Sequence, residues 1–301
     1  MKADYFCDLL DFAMPRKGGY AVLLNVYIDA SKRPGGIFCV SGFAFGTDRA
    51  KKASAEWRRL WGDTICHMTD LHSRQKAFAQ GWDDRDKVET YLKNSIAIVN
   101  RYRSYGVAVS CDLNEINALA PISAATDSQR YLAGFRRAYP ICCHLAMSTF
   151  GKLVREHGGG DHDIAYFFET GDADQAESQQ FIAMGATEPI LRRYWSLATN
   201  TLIDKADARL LEPSDILAWE WAKHRERVRQ GKGKRPPLRD LLGDGIEDEK
   251  SFSSGAMRAM HLQGDSLKNY FENVRTMILA SDDVALPLLR DYLARRGITL
   301  P

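Results

Sequence analysis

Five residues of the sequence have the side chains and spacing of a metal-dependent site. Asp29 and Glu169 each end an apolar run, and Asp215 lies in the first turn of a predicted helix, while Asp70 and His72 follow a short apolar stretch. Because strand ends and helix starts open a crevice in α/β sheets, we predict that these groups lie together. Converging carboxylates repel each other unless a divalent cation neutralises them, and oxygen ligands suit Mg²⁺ or Mn²⁺.

Each of these residues also has an ordinary structural explanation. An aspartate at a strand end commonly bonds its own backbone in a turn, which would account for Asp29, and Glu169 also precedes a turn. Asp215 could interact with the helix dipole, and His72 could be a loop histidine. The functional interpretation requires that the groups share one site, and spacing alone does not decide this.

The elements that must position these residues alternate between strands and helices. Apolar, β-branched runs bounded by turn residues predict strands over residues 20–29, 37–45, 105–113, 163–169 and 195–204. Helical periodicity and capping residues predict helices over residues 47–61, 84–102, 127–157, 175–194 and 213–229, with a kink or break at Pro140. This order favours an α/β or α+β layered domain, a mixed sheet flanked by helices.

Length and composition exclude several classes of protein. The chain has 301 residues, which allows two domains or one large one, and its net charge is only +2. A chromatin-coating polycation is therefore excluded, and any contact with nucleic acid requires a local basic patch. The six cysteines form no C-x-x-C pair, the first residues do not resemble a signal peptide, and no apolar run is long enough for a membrane span. We expect a cytoplasmic protein with no membrane segment and no zinc ribbon.

A strongly charged region follows the last predicted helix of the sheet domain. Residues 223–239 contain eight Lys or Arg and one acid, and residues 240–249 contain five acids and no base. We predict a main domain over residues 1–229, a charged loop or linker over 230–250, and a helical C-terminal extension over 251–301 that packs on the main domain. The candidates for phosphate contacts are Lys223, Arg225, Arg227, Arg229, Lys232, Lys234 and Arg235. The alternative is a solvated helix end balanced by the acidic run.

Short motifs occur in an order that resembles a known bacterial family. They are VYIDAS at residues 26–31, FCVSGFAF at 38–45, DLH at 70–72, the acid Glu169, and EPSDILA at 212–218. The order is similar to that of domain-of-unknown-function family thirty-eight hundred, over about residues 20 to 225. In that family the first strand ends in Asp-Glu-Ser-Gly and a late helix carries Gln-x-Ala-Asp. Here Ala30 replaces the Glu, and Glu212 and Ser214 replace the Gln and Ala.

The resemblance implies an RNase H-like fold and a metal-dependent nuclease. Asp29, Glu169 and Asp215 would hold Mg²⁺ or Mn²⁺, Asp70 would be a fourth ligand or orient water, and His72 would assist proton transfer. Nucleic acid is then the expected partner. The alternative is a catalytically degenerate module that binds nucleic acid or a protein, which the loss of the first-motif Glu favours. Hydrolysis of a small phosphate ester has no support from a P-loop or Rossmann glycine pattern.

Overall fold

The computed structural model gives the arrangement of most of the chain. It describes residues 24–118, 137–157, 163–171, 194–242 and 257–270, together with the single positions 179, 182, 183 and 192. The strands are β1 (Leu24–Lys32), β2 (Ile37–Gly46), β3 (Tyr105–Asp112), β4 (Ile164–Glu169), β5 (Leu197–Ile203) and β6 (Met257–Leu262). The α-helices are α1 (Thr47–Trp61), α2 (Met68–Ser73), α3 (Arg85–Tyr102), α4 (Leu113–Ala118), α5 (Ala138–His157), α6 (Leu211–Arg229) and α7 (Pro236–Leu242).

The strands form one mixed sheet in the order β5-β4-β1-β2-β3-β6. β1, β2 and β3 are antiparallel neighbours, whereas β4 pairs in parallel with β1 and β5 in parallel with β4. A three-stranded antiparallel meander, extended on the β1 side by two parallel strands, is the arrangement of the RNase H-like fold. The predicted fold class, a mixed α/β sheet flanked by helices, is therefore confirmed.

Helices cover both faces of the sheet, and strand alternation decides which residues meet which helices. Val26 and Ile28 on β1 belong to the core that α5 covers, whereas Tyr27 belongs to the core formed with α1, α3 and α6. Because successive side chains of a strand point to opposite faces, Asp29 follows Tyr27 onto the α6 face. Glu169 follows Phe167 of β4 onto the same face by the same alternation.

The start of α6 is fixed against the centre of the sheet by two small polar residues. Ser214 Oγ donates a hydrogen bond to the carbonyl oxygen of Tyr27 at 2.7 Å, and Ser41 Oγ donates to the carbonyl oxygen of Ser214 at 2.7 Å. These contacts join the first turn of α6 to β1 and β2. They place Asp215 beside the end of β1.

The structure differs from the sequence prediction in the C-terminal third. Residues 257–262, expected in a helix, form β6 in parallel with β3, and residues 264–270 are helical. The run MRAMHL contains no β-branched residue, so it gave no strand signal, but it pairs with a strand that would otherwise have an open edge. Helix α7 lies inside the predicted loop, because Pro236 and Pro237 begin a helix instead of preventing one.

Other predictions lie partly outside the described residues. Most of the predicted helix over 175–194, residues 127–136 of the predicted helix over 127–157, the acidic run beyond residue 242 and the segment 271–301 lie outside the described residues, and the domain boundaries stay a prediction. Pro140 lies in the first turn of α5, which begins at Ala138, and a proline there displaces no helical hydrogen bond. In the part of the chain that the structure describes, no helix is long and apolar enough to cross a membrane.

Candidate functional site

Three acidic side chains from separate elements meet around one lysine. Lys205 Nζ lies 2.8 Å from Asp29 Oδ2, 2.8 Å from Glu169 Oε2 and 3.3 Å from Asp215 Oδ2. Because Asp29 Oδ2 and Glu169 Oε2 each lie 2.8 Å from Lys205 Nζ, these two oxygens are no farther apart than twice that distance. The structure thus brings together the three predicted metal ligands, and it adds a cation that was not predicted.

Each carboxylate is held by its own element. Asp29 lies within β1 and does not end it, contrary to the prediction, because residues 30–32 continue the pairing with β2. Its Oδ1 accepts a hydrogen bond from the Ala30 backbone N–H at 2.6 Å. Asp215 lies in the first turns of α6, and its Oδ2 accepts from the Met68 backbone N–H at 2.9 Å. Glu169 ends β4, directly beside β1 in the sheet. The turn after β5 carries Lys205 into the space between them.

Burial makes this cluster electrostatically unusual. Asp29 and Asp215 are each 2% exposed, and Lys205 is 5% exposed. Burial raises the pKa of Asp29 to about 8, although the Lys205 ammonium acts in the opposite direction. Burial likewise raises the pKa of Asp215. For Lys205, burial acts to lower the pKa, but the three carboxylates outweigh burial and raise it above its ordinary value.

The donor chemistry of the cluster fits a hard divalent cation. Within the described residues, no group of three or more His, Cys, Asp or Glu side chains stands in a ready-made metal-binding arrangement. The three carboxylates surround the Lys205 ammonium instead. With all groups ionised, the cluster carries three negative charges and one positive charge. Its oxygen donors are those that Mg²⁺ and Mn²⁺ prefer, and binding of an ion requires Lys205 to move aside.

Asp70 and His72 make their contacts elsewhere. Asp70 Oδ2 pairs with Lys76 Nζ at 2.9 Å instead of joining the Lys205 cluster. The His72 ring stacks on Trp219, with ring centroids 3.8 Å apart. Burial, and then the charge of Lys223, lowers the pKa of His72. A neutral imidazole at this position is suited to stacking, and the predicted roles of both residues in water activation stay predictions.

Glu212, the first residue of the late motif, supports the site from behind. It is fully buried, accepts hydrogen bonds from Trp57 Nε1 at 2.9 Å and the Cys66 backbone N–H at 2.7 Å, and pairs with Arg209. It thereby ties α1 and the segment before α2 to the start of α6. These hydrogen bonds account for a carboxylate at a position where the resembled family has glutamine.

The predicted phosphate-binding residues make several kinds of contact within the protein. Arg229 pairs with Asp112, Arg227 Nε donates to the Gly233 carbonyl at 2.9 Å, and Lys232 Nζ donates to Gln230 at 2.9 Å. Arg225 Cζ lies 5.9 Å from the Trp221 ring centroid. Lys223 and Arg235 both lie over the ring of Trp219. Lys234 lies in the loop before α7. Several of these side chains therefore have structural partners.

Lys205 is the site residue that the sequence interpretation missed. It follows the predicted fifth strand as a single lysine between two aspartates, Asp204 and Asp207. The only available signal was its position after a strand end, where the carboxylates had also been sought. A lysine on a turn is most often solvated, so its type gave no indication of burial.

The fold and the cluster define an RNase H-like α/β protein with a buried acidic site. No known family model matches the chain, and no curated protein is similar to it. Among solved structures, a chain of the PCNA:RNase HII complex from Archaeoglobus fulgidus is similar, with 14% identity and a TM-score of 0.34, over 82% of this chain and 99% of that chain. The fold class therefore rests on the strand order and directions, and the family resemblance stays a prediction.

Proposed function

We propose that the protein is a metal-dependent nuclease that hydrolyses phosphodiester bonds of nucleic acid. The observation that carries this proposal is the convergence of Asp29, Glu169 and Asp215 on one cation position in an RNase H-like sheet. The order of motifs that resembles domain-of-unknown-function family thirty-eight hundred supports it. We include membership of that family in the proposal.

The three carboxylates would hold Mg²⁺ or Mn²⁺. A bound divalent ion supplies charge stabilisation for the phosphodiester and lowers the pKa of an attacking water. Before the ion binds, Lys205 balances part of the negative charge and keeps the carboxylates at short distance. Ser214 and Glu212 fix the start of α6, so that Asp215 keeps its direction while the lysine moves aside.

The second candidate is a catalytically degenerate module that binds nucleic acid or a protein partner. One observation favours it specifically, because the Lys205 ammonium lies between the three carboxylates, where a divalent ion would bind. Ala30, at the position of the resembled family's first-motif Glu, also removes one potential acidic ligand. Under this candidate the lysine is a permanent replacement for the ion.

Substitution of the metal ligands tests the two candidates. Asp29→Asn and Asp215→Asn keep the side-chain size but remove a charged ligand, so we expect each to abolish Mn²⁺-dependent cleavage of DNA or RNA and to reduce stabilisation by Mn²⁺. Asp48→Asn is the matched control, because Asp48 is an exposed aspartate in the first turn of α1 and lies outside the cluster. If the unchanged protein shows neither cleavage nor a Mn²⁺-dependent melting shift, the degenerate module replaces the nuclease.

A further inference from the structure

A pocket of about 620 Å³ opens between α2, α3, α6 and α7, on the face of the sheet that carries the carboxylate cluster. One wall is apolar and includes Val88, Leu92 and Ile96 of α3. Trp82 also lines the pocket and is half-buried, and its ring stacks on Trp61. The volume and the mixed lining are those of a small-molecule site, in which apolar walls accompany a few convergent polar groups.

Positive charge is concentrated at the α6 side of this pocket. The ring centroid of Trp219 lies 4.2 Å from Lys223 Nζ, 4.8 Å from Arg33 Cζ and 5.4 Å from Arg235 Cζ, and His72 stacks on the same ring. Lys223, Arg235 and His72 also line the pocket. Arg33 pairs with Glu226 and Arg235 pairs with Glu220, so the three cations around the indole exceed their carboxylate partners by one. An anion bound beside Lys223 would reduce the repulsion that remains.

Two lysines of the pocket are available to a ligand. Within the described residues, neither Lys93 nor Lys223 has an ion-pair partner, whereas Arg235 Nη1 pairs with Glu220 at 2.8 Å. Arg235 keeps further N–H donors after this contact. Burial, and then the charge of Arg235, lowers the pKa of Lys223 to about 8, although Glu220 opposes the change.

Residues of the pocket and of the acidic site lie on the same face of α6. Asp215, Trp219 and Lys223 follow one another at intervals of four residues, so they share one helix face. At the rise of an α-helix, Lys223 is about 12 Å along the axis from Asp215. A nucleic acid strand carries a phosphate about every 3.4 Å of duplex axis, so a strand in the acidic site reaches the pocket within a few nucleotides.

We propose that this pocket binds one nucleotide of the nucleic acid strand, with its phosphate at Lys223 and Arg235 and its base against Trp82 and the apolar wall of α3. The proposal rests on the proposed nuclease function and adds a second contact point for the substrate. Stacking and apolar contact accept any base, so the pocket holds the strand without selecting a sequence.

Binding of adenosine monophosphate, measured by isothermal titration calorimetry, tests the pocket directly. We expect it to bind more tightly than adenosine or inorganic phosphate, because only the nucleotide fills both parts of the pocket. Lys223→Gln should weaken binding about ten-fold, as loss of a hydrogen bond to a charged group does. The exposed charge reversal Lys93→Glu should also weaken binding, because it places a negative charge at the pocket lining, where it repels the phosphate. Lys152→Gln on α5 removes the same charge from the other face of the sheet and should leave binding unchanged.

A competition experiment decides whether the bound nucleotide belongs to a strand. On the Asp29→Asn variant, which we expect to lack cleavage activity, adenosine monophosphate should displace a labelled short oligoadenylate. Absence of nucleotide binding, or binding unaffected by both pocket variants, would overturn the proposal. Binding without displacement would also overturn it, because the pocket would then be a site for free nucleotides. If only the nuclease proposal fails, the protein will show no Mn²⁺-dependent cleavage but will retain both nucleotide binding and displacement of the oligoadenylate.

Discussion

Lys205 determines how the acidic site behaves without metal. Its ammonium is the only described cation within ion-pair distance of Asp29 and Asp215, and all three groups are buried. Removal of one partner from a buried ion-pair network leaves charges that are neither solvated nor paired. The lysine is therefore a structural cation in the metal-free protein, whichever function the site performs.

Removal of the Lys205 ammonium should destabilise the metal-free protein and increase its stabilisation by Mn²⁺. We expect Lys205→Met to reduce the free energy of unfolding by about 3 kcal/mol at pH 7 without metal, because three carboxylates lose their counter-ion. Mn²⁺ should then raise the melting temperature more in the variant than in the unchanged protein, since the ion no longer competes with an ammonium group. Thermal denaturation with Mn²⁺ and with a chelator measures both effects.

Lys152→Met is the matched control for this substitution, because Lys152 is an exposed lysine of α5 on the other face of the sheet. It should change neither quantity. An equal Mn²⁺ shift in Lys205→Met and the unchanged protein would show that the carboxylates do not bind the ion.

Glu220, which lies behind the nucleotide pocket, should make stability depend on pH. Burial raises the pKa of Glu220 to about 7, although Arg235 opposes the change. Between about pH 4.5 and 7 the folded protein holds a proton that the unfolded chain has released, so stability falls as the pH rises through this window. The fall contributed by Glu220 amounts to about 3 kcal/mol.

The variant Glu220→Gln does not titrate, so it should lose this contribution. Urea denaturation at a series of pH values, carried out with both proteins, measures the difference. Parallel pH profiles for the two proteins would contradict the raised pKa of Glu220.

At the scale of elements, the site depends on the parallel strands β1 and β4 and on helix α6, which are far apart in the sequence. β1 and β4 are adjacent although more than a hundred residues separate them, and α6 crosses both on the face opposite α5. Helix α5 packs on the other face of the same sheet, so its position affects the strands that carry Asp29 and Glu169. Helix α5 also contacts the segment before β5 closely, and a substitution in α5 can test that contact.

Gly151 allows α5 to approach that segment. A Cβ at this position would lie 2.3 Å from the Tyr194 carbonyl oxygen and 3.0 Å from the Trp195 carbonyl carbon. We expect Gly151→Ala to lower the free energy of unfolding by about 1–3 kcal/mol, because backbone atoms must shift to admit the methyl group. Gly46→Ala is the control, since no atom of the described residues lies within 4 Å of its added Cβ. Equal stability of the two variants in urea would show that the close approach carries no strain.

At the scale of the whole molecule, the sequence predicted five of the described strands and the helices α1, α3 and α6 to within a few residues. β1 to β5 carry apolar, β-branched runs, and their bounds lie within a few residues of those predicted. β6 lacked that signal because its place depends on pairing with β3, a contact between distant residues that no local pattern encodes. The same limit explains the site. Strand ends indicated Asp29 and Glu169, but the burial of Lys205 between them depends on the complete fold.

The distribution of charge over the molecule leads to the last prediction. The net charge is only +2, so affinity for nucleic acid depends on where the cations lie. Lys232 and Lys234 lie in the loop between α6 and α7, on the side of the sheet that carries the acidic site. We expect the double substitution to Gln to weaken binding equally for all sequences. For each of the two lysines that binds a phosphate, the slope of log K against log salt should fall by about 0.7–0.9.

Fluorescence anisotropy with a labelled strand over a range of salt concentrations measures this slope. The control removes the same charge from the opposite face through Lys152→Gln and Lys268→Gln, near α5 and the segment after β6. Net charge changes equally in both double variants, so a general electrostatic attraction would reduce their affinities alike. A reduced slope for the loop variant alone would place the strand across the α6 face. An unchanged slope in the loop variant would assign these two lysines to solvation, and phosphate binding would then depend on Lys223 and Arg235.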